Sequence, residues 1–171
     1  MTVRPKVLVS VGKVNFPPDV ADTLAEVGEV QYVSGDYAAQ RGEARAAVVG
    51  GEKVNEAYLA QAPHLKIVAR FGVGYDAVDV PACTSRRTYV AHTPDILSGA
   101  VADLAWALIL GWMRRIPGGD RYTRMEWGKR QTPFPFGWDL EGKTVGFLGL
   151  GRIGAEAAKR GFGFGVKMIY H

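Results

Sequence analysis

Short apolar runs alternate with segments whose apolar residues recur every three or four positions, and this alternation fills the first half of the chain. Residues 6–11 (KVLVSV) form a valine-rich run bounded by Pro5 and Gly12, the composition of a buried strand. Pro17-Pro18-Asp19 then opens a segment with Val20, Leu24 and Val27 at helical spacing, stopped by Gly28. Residues 30–33 predict a second strand, 36–45 a helix, and 46–49 a third strand ending at Gly50-Gly51. Asn55 is placed to cap a helix carrying Tyr58, Leu59 and Ala62 and closed by Pro63, after which residues 65–70 predict a fourth strand. Asp79 caps a short helix over 80–87, and 88–92 is a fifth strand ahead of Thr93-Pro94.

Strand and helix in this order predict a parallel sheet covered on both faces, with its ligand crevice beyond the carboxyl ends of the strands. That singles out two loops, Gly50-Gly51 and Phe71-Gly72-Val73-Gly74-Tyr75. The glycines at 72 and 74 can present consecutive backbone N–H groups to a carboxylate, although an ordinary strand-to-helix turn has the same composition.

From Ser98 the period changes. Ser98 is a fair N-cap, and Val101, Leu104, Ala105, Leu108, Ile109 and Trp112 follow as one broad apolar face. Arg114 and Arg115 complement the end of this helix, and Pro117-Gly118-Gly119 stops it. A helix this apolar all round, with Trp106 and Trp112, needs cover on more than one side, which places it between domains or subunits. Residues 120–142, with Pro133, Pro135 and Gly137, read as an arm plus a loop. A strand over 144–148, the turn Gly149-Leu150-Gly151-Arg152-Ile153-Gly154, a helix over 155–160 and a strand over 166–170 complete the chain.

GxGxxG in that setting is a dinucleotide-binding turn: the first glycine bends the chain, the second admits a pyrophosphate and the third lets helix pack on strand. The bland alternative is a glycine turn with no ligand. The residue that would choose between NAD and NADP is expected about 20 residues further on, past His171.

Composition narrows the class. The 171 residues are 47% apolar and 22% charged, enough for one domain or two small ones with a real core. The apolar run 96–113 is interrupted by Ser98 and Asp103 and reads as a buried helix, not a membrane span. Arg4-Pro5-Lys6 lead straight into a strand, unlike a secretory leader. The lone Cys83 has no CxxC or histidine partner, so it reads as a small buried hydrophobe in a reducing, cytoplasmic setting. No spacing suggests a metal site. The net charge of +4 is local: Arg114, Arg115, Arg121, Arg124, Lys129 and Arg130 are interleaved with Tyr122, Met125 and Trp127. Such a patch can bind nucleic acid. Without a nucleic-acid fold motif, a solvated arm or subunit contact is the better reading.

The ordered landmarks Ala69-Arg70-Phe71-Gly72-Val73-Gly74-Tyr75-Asp76, Thr93-Pro94-Asp95, Val101-Ala102-Asp103-Leu104-Ala105, Leu140-Glu141-Gly142-Lys143-Thr144-Val145-Gly146 and GLGRIG resemble those of the D-isomer-specific 2-hydroxyacid dehydrogenases. Within that family the chain is most similar to the glyoxylate and hydroxypyruvate reductases. The resemblance runs from about Lys6 to the last residue. It implies an α/β fold in which a flavodoxin-like parallel-sheet substrate domain, here incomplete over 1–96, is followed over 97–171 by the first part of a Rossmann cofactor domain with a dimerisation helix and arm, the two flanking a cleft.

By the same resemblance Val73 and Gly74 hold the substrate carboxylate, and Ser98 lies near the nicotinamide. Gly149, Gly151, Arg152, Ile153 and Gly154 lie under the pyrophosphate of NAD or NADP. The substrate is a small 2-keto or 2-hydroxy acid, and the partner is a second copy in a homodimer; neither nucleic acid nor membrane is expected. Hydride passes to or from the nicotinamide, while an arginine orients the substrate and a histidine tuned by a carboxylate moves the proton. No residue of this chain matches those three, so no catalytic residue is assigned. His64, His92 and His171 read as ordinary surface or strand-end histidines. The chain alone is then expected to be inactive, and a non-catalytic dinucleotide-binding or interaction module is the competing reading.

Overall fold

Residues 4–12, 18–129 and 132–171 are described by the structure, a computed structural model; Pro17, at the expected start of the first helix, and Arg130, in the basic cluster, lie outside the described residues. The chain divides into two units, Met1–Pro94 and Asp95–His171.

In the first unit the valine-rich runs become strands β1 (Lys6–Val9), β2 (Glu29–Tyr32), β3 (Ala44–Val49), β4 (Ile67–Arg70) and β5 (Tyr89–Ala91). They pair in parallel in the order β2-β1-β3-β4-β5, the flavodoxin-like order of doubly wound sheets. Helices α1 (Pro18–Val27), α2 (Ala38–Arg41), α3 (Glu56–Ala60) and α4 (Val80–Ser85) make the crossovers.

Strand alternation sorts the core into two layers. Val7 and Val9 pack with Ala21 and Leu24 of α1 on one face. Leu8, Val49 and Val68 join Tyr58 and Leu59 of α3 and Cys83 of α4 on the other. An all-parallel sheet must be covered in this way. Both expected caps form: Asn55 Oδ1 accepts from the Tyr58 amide at 3.1 Å and Asp79 Oδ1 from the Ala82 amide at 2.9 Å. Each stabilises its helix by about 1 kcal/mol.

The helix expected over 36–45 is only the single turn of α2, and Ala44 and Arg45 belong to β3. Ala44 pairs with Lys6 of β1 and is buried in the core, so sheet pairing overrides local helix preference. β1, β4 and β5 are one or two residues shorter at one or both ends than expected.

The second unit contains α5 (Ser98–Met113), α6 (Ile116–Arg121), β6 (Thr144–Phe147), α7 (Arg152–Gly161) and β7 (Lys167–Tyr170). β6 and β7 form a two-stranded parallel sheet. α7 packs on α5 through Trp106, whose indole Nε1–H donates to the Ala157 carbonyl at 2.7 Å. Arg160 ties the same helices by pairing with Asp103 at 2.5 Å and Glu156 at 3.0 Å.

Helix ends in this unit differ from expectation. Ser98 is not the N-cap: Leu97 holds that position, and Ser98 is the buried first residue of α5, its N–H donating to the Asp95 carbonyl at 3.2 Å. The buried row of α5 is Ser98, Ala102 and Trp106, at four-residue spacing, whereas Val101, Leu104, Leu108 and Trp112 of the broad apolar face are exposed. Pro117-Gly118-Gly119 does not stop the helix. Arg115 stops it by taking a left-handed φ of 55°, and Pro117 sits in the first turn of α6, where its missing N–H would have no helical partner anyway. The expected arm is also more ordered at its start, where α6 runs into a π-helical turn over Tyr122–Glu126. α7 begins at Arg152 and not at 155, so the glycine turn leads directly into its first turn.

Candidate functional site

Each unit presents backbone amides at the carboxyl end of its parallel strands. In the first unit the loop after β4 is held by its carbonyls. Arg70 Nη1 donates to the Phe71 carbonyl, the Thr93 amide donates to the Gly72 carbonyl at 3.1 Å, and His92 Nδ1–H donates to the Val73 carbonyl at 2.9 Å. Tyr75 packs edge-on against the His92 ring, with centroids 5.0 Å apart.

Every peptide bond here is trans, so a carbonyl pulled one way turns the following N–H the other way. The Val73 and Gly74 amides therefore face away from the segment that follows β5, and among the described residues neither donates to a protein acceptor. Gly72 makes the bend possible with φ +143°, a conformation closed to side-chain-bearing residues. The result is a pair of neighbouring backbone donors without a protein acceptor, a set able to meet a carboxylate.

The neighbouring loop at Gly50-Gly51 is used differently. The Gly50 amide donates to Ser10 Oγ at 3.1 Å, and the Tyr37 hydroxyl donates to Glu52 Oε1 at 2.5 Å. Burial alone would push the Glu52 carboxyl up, but hydrogen bonds from Ser10, Tyr37 and the Gly50 amide outweigh it and hold the group below the ordinary range. Burial and the same carboxylate raise the Tyr37 phenol. This loop is turned inward as a structural network, unlike the loop after β4, whose Val73 and Gly74 amides meet no protein acceptor among the described residues.

In the second unit the three glycines after β6 behave as three different residues. Gly149 takes φ +88° at the bend. A Cβ on Gly151 would meet nothing within 4 Å, so the N-cap of α7 lies open to an approaching group. A Cβ on Gly154 would lie 2.6 Å from the Gly149 carbonyl oxygen, so helix and turn pack together only without one. The first-turn N–H groups of α7 have no acceptor within the helix and stand at its positive end. An open second glycine, a closed third glycine and free amides at a helix start fit a dinucleotide pyrophosphate. Arg152, the first residue of α7, currently pairs with Asp95 at 3.0 Å.

The structure thus brings Val73 and Gly74 together as donors in one unit. In the other, Gly149, Gly151, Arg152, Ile153 and Gly154 share one turn, with Ser98 separately at the start of α5. Two residues escaped the sequence reading. His92, at the end of β5, anchors the loop after β4, and Arg70 lies beside Gly72 in the same loop. The adjacency of β4 and β5, legible from strand order, was the available signal.

Three residues of the basic cluster are engaged within their own unit. Arg114 pairs with Asp139 at 2.5 Å, Arg115 stacks over Trp138 at 4.9 Å, and Arg124 pairs with Asp120 at 2.8 Å. Cys83 is buried, which pushes its thiol up. Among the described residues no cluster could hold a metal ion, and no helix is long and apolar enough to cross a membrane.

Comparison with known proteins follows these landmarks. Residues 9–162 match the family described as D-isomer specific 2-hydroxyacid dehydrogenase, catalytic domain. Glyoxylate reductase from Pyrococcus horikoshii is 44% identical over 125 residues, which cover 70% of this chain and 37% of that protein. Its counterpart from Thermococcus litoralis is 47% identical over 125 residues, 70% of this chain and 38% of that protein.

Among solved structures, a Thermus thermophilus protein gives a TM-score of 0.86 at 34% identity, covering 97% of this chain and 55% of its own. The NADPH-dependent glyoxylate/hydroxypyruvate reductase of Sinorhizobium meliloti, in complex with NADP and malonate, gives 0.83 at 38% identity, covering 98% of this chain and 53% of its own. The match therefore spans less than two fifths of those curated relatives and a little over half of the solved chains.

Proposed function

We propose an activity for this chain from one premise: it belongs to the D-isomer-specific 2-hydroxyacid dehydrogenase family. The reading is an NAD(P)-dependent oxidoreductase of the glyoxylate/hydroxypyruvate reductase type. Residues 1–96 act as the incomplete substrate domain and 97–171 as the first part of the cofactor domain. When bound, the nicotinamide supplies or accepts the hydride at the carbon bearing the keto or hydroxyl group of a small 2-oxo or 2-hydroxy acid.

The chain's own residues bind and orient. The Val73 and Gly74 amides grip the substrate carboxylate, and Ser98 lies beside the nicotinamide. The amides after Gly151 neutralise pyrophosphate charge, with Arg152 turning from Asp95 toward it. The pairing of an open Gly151 with a closed Gly154 is the observation that carries the reading.

Proton transfer is assigned to no residue here. The 171-residue chain should therefore show saturable quenching of tryptophan fluorescence by NADPH or NADH, yet no nicotinamide oxidation with glyoxylate or hydroxypyruvate. Absence of saturable binding would sink the cofactor reading, and measurable turnover would refute the assignment of proton transfer elsewhere.

The partner is a second copy. Leu104, Leu108 and Trp112 are 58%, 65% and 70% exposed along one side of α5, a row too apolar to remain wet. Sedimentation equilibrium should give a dimer that Leu108→Glu dissociates; a monomeric parent chain at micromolar concentration would exclude this contact. The buried thiol of Cys83 suits a cytoplasmic setting, where cell fractionation should recover the protein.

A further inference from the structure

The amino ends of the strands in the first unit border a cavity of about 450 Å³, lined by Arg4, Lys6, Glu29, Glu43, Arg45 and His64. Lys6 opens β1, Glu29 opens β2, Arg45 is the second residue of β3, and His64 lies in the turn before β4. Three permanent cations and a histidine share this space with two carboxylates.

Part of this charge is already engaged. Lys6 Nζ pairs with Glu43 at 2.8 Å, and Arg4 Nη2 donates to the carbonyls of Ala25 and, at 2.9 Å, Glu26 at the end of α1. Among the described residues the side chains of Arg45 and His64 have no hydrogen-bond or ion-pair partner, and Glu29 makes no side-chain hydrogen bond.

The backbone gives Arg45 a special position. Lys6 of β1 pairs with Ala44 and Val7 with Ala46, so Arg45 is an extra residue with no partner on β1. A bulge of this kind is rare between parallel strands, and it re-aims a side chain. Its effect shows in the core: Ala44 and Ala47 are buried on one face of the sheet while Ala46 packs on the other. The bulge therefore resets the strand alternation, which would otherwise put Ala44 on the same face as Ala46. Arg45 is left exposed at the cavity, with its carbonyl fixed by the Lys66 amide at 2.8 Å.

An arginine on a fixed backbone with its fork of donors open suits phosphate oxygens, through paired N–H···O bonds. The cavity exceeds the needs of a bare phosphate and falls in the size range of small-molecule sites, roughly 300–1,000 Å³. Glu29, an acceptor without a donor of its own, suits hydroxyl groups on the rest of such a ligand. We propose that this cleft binds a phosphate monoester with a hydroxylated body, Arg45 taking the phosphate and Glu29 the hydroxyl groups. It lies at the opposite end of the sheet from the loop after β4 and does not depend on the dehydrogenase reading.

The test uses the 171-residue chain, uniformly labelled with ¹⁵N, titrated separately with ribose 5-phosphate, inorganic phosphate and ribose. Ribose 5-phosphate should shift the amides of Arg45 and His64 saturably and leave those of Val73 and Gly74 in place. Inorganic phosphate should move the same amides with about tenfold weaker affinity, and ribose should not move them. Arg45→Gln should weaken ribose 5-phosphate binding about tenfold or more without changing the unfolding midpoint, and Arg45→Lys should recover part of the loss. Glu29→Ala should bring the two phosphates to equal affinity.

Shifts that never saturate, or that ribose reproduces, overturn the site. Unchanged affinity in Arg45→Gln removes Arg45 from it. Equal binding of both phosphates by the parent chain overturns the role of Glu29 and keeps that of Arg45. If ribose 5-phosphate moves Val73 and Gly74 alone, the ligand belongs to the loop after β4 and the inference fails.

Discussion

Gly151 and Gly154 are three positions apart and have opposite requirements, which separates binding from folding at single-residue resolution. A methyl on Gly151 enters open space, so Gly151→Ala should leave the unfolding midpoint nearly unchanged while weakening NADPH binding tenfold or more, roughly the effect of displacing a charge-assisted contact. A methyl on Gly154 meets a backbone oxygen at 2.6 Å, so Gly154→Ala should destabilise the second unit by about 1–3 kcal/mol, as overpacking does. Urea unfolding and fluorescence titration of both variants check the pair. Equal loss of stability in both would mean that the turn is a packing device only. These roles were legible because a glycine pattern between a strand and a helix has few physical uses. The placing of His92 and Arg70 was not, because it depends on which carbonyl and which glycine stand beside them in space, and spacing along the chain does not report that.

At the scale of elements, Ser10 after β1, Tyr37 before α2 and Glu52 after β3 are joined by one polar network. Its pH dependence has a definite sign. The folded Glu52 pKa lies below its unfolded value, so its stabilisation is complete above the unfolded value of about 4.3 and is lost as pH falls through the folded one. Between neutral pH and about pH 3, the parent chain should lose more stability than Glu52→Gln, which keeps an acceptor for Tyr37 but does not titrate there. Glu43, Glu56 and Glu156 shift in the same direction, so the quantity to measure is the difference between the two proteins' urea midpoints at each pH. Parallel curves would show that the network does not titrate.

The same scale explains where sequence reading stopped. Asn55 and Asp79 were identifiable as caps because a side chain bonding three residues ahead is a local event. The α2–β3 boundary was not, because Ala44 is claimed by pairing with Lys6, far away in sequence. For α5, apolar residues on nearly every side left the buried row undecided until Trp106 found the Ala157 carbonyl.

For the whole molecule, the order β2-β1-β3-β4-β5 follows from alternating strands and helices together with family resemblance, but its use depends on where each strand lies. β5 is a three-residue strand at the edge of the sheet, bonded to β4 alone, and the segment that continues from it carries two holders of the loop after β4, the Thr93 amide and the His92 ring. Short edge strands are among the first parts of a fold to open in the native state. When this one opens, the carbonyls of Gly72 and Val73 lose their partners and their peptide planes are free to turn. A bound acid that requires those planes in one orientation must then hold β5 shut, although it touches none of its residues. A saturating small 2-hydroxy acid such as D-lactate should accordingly slow hydrogen exchange at the Tyr89 amide, which donates to the Lys66 carbonyl, more than at amides in β1. Unchanged exchange at Tyr89 under saturation would mean that the loop keeps its shape without the strand beside it.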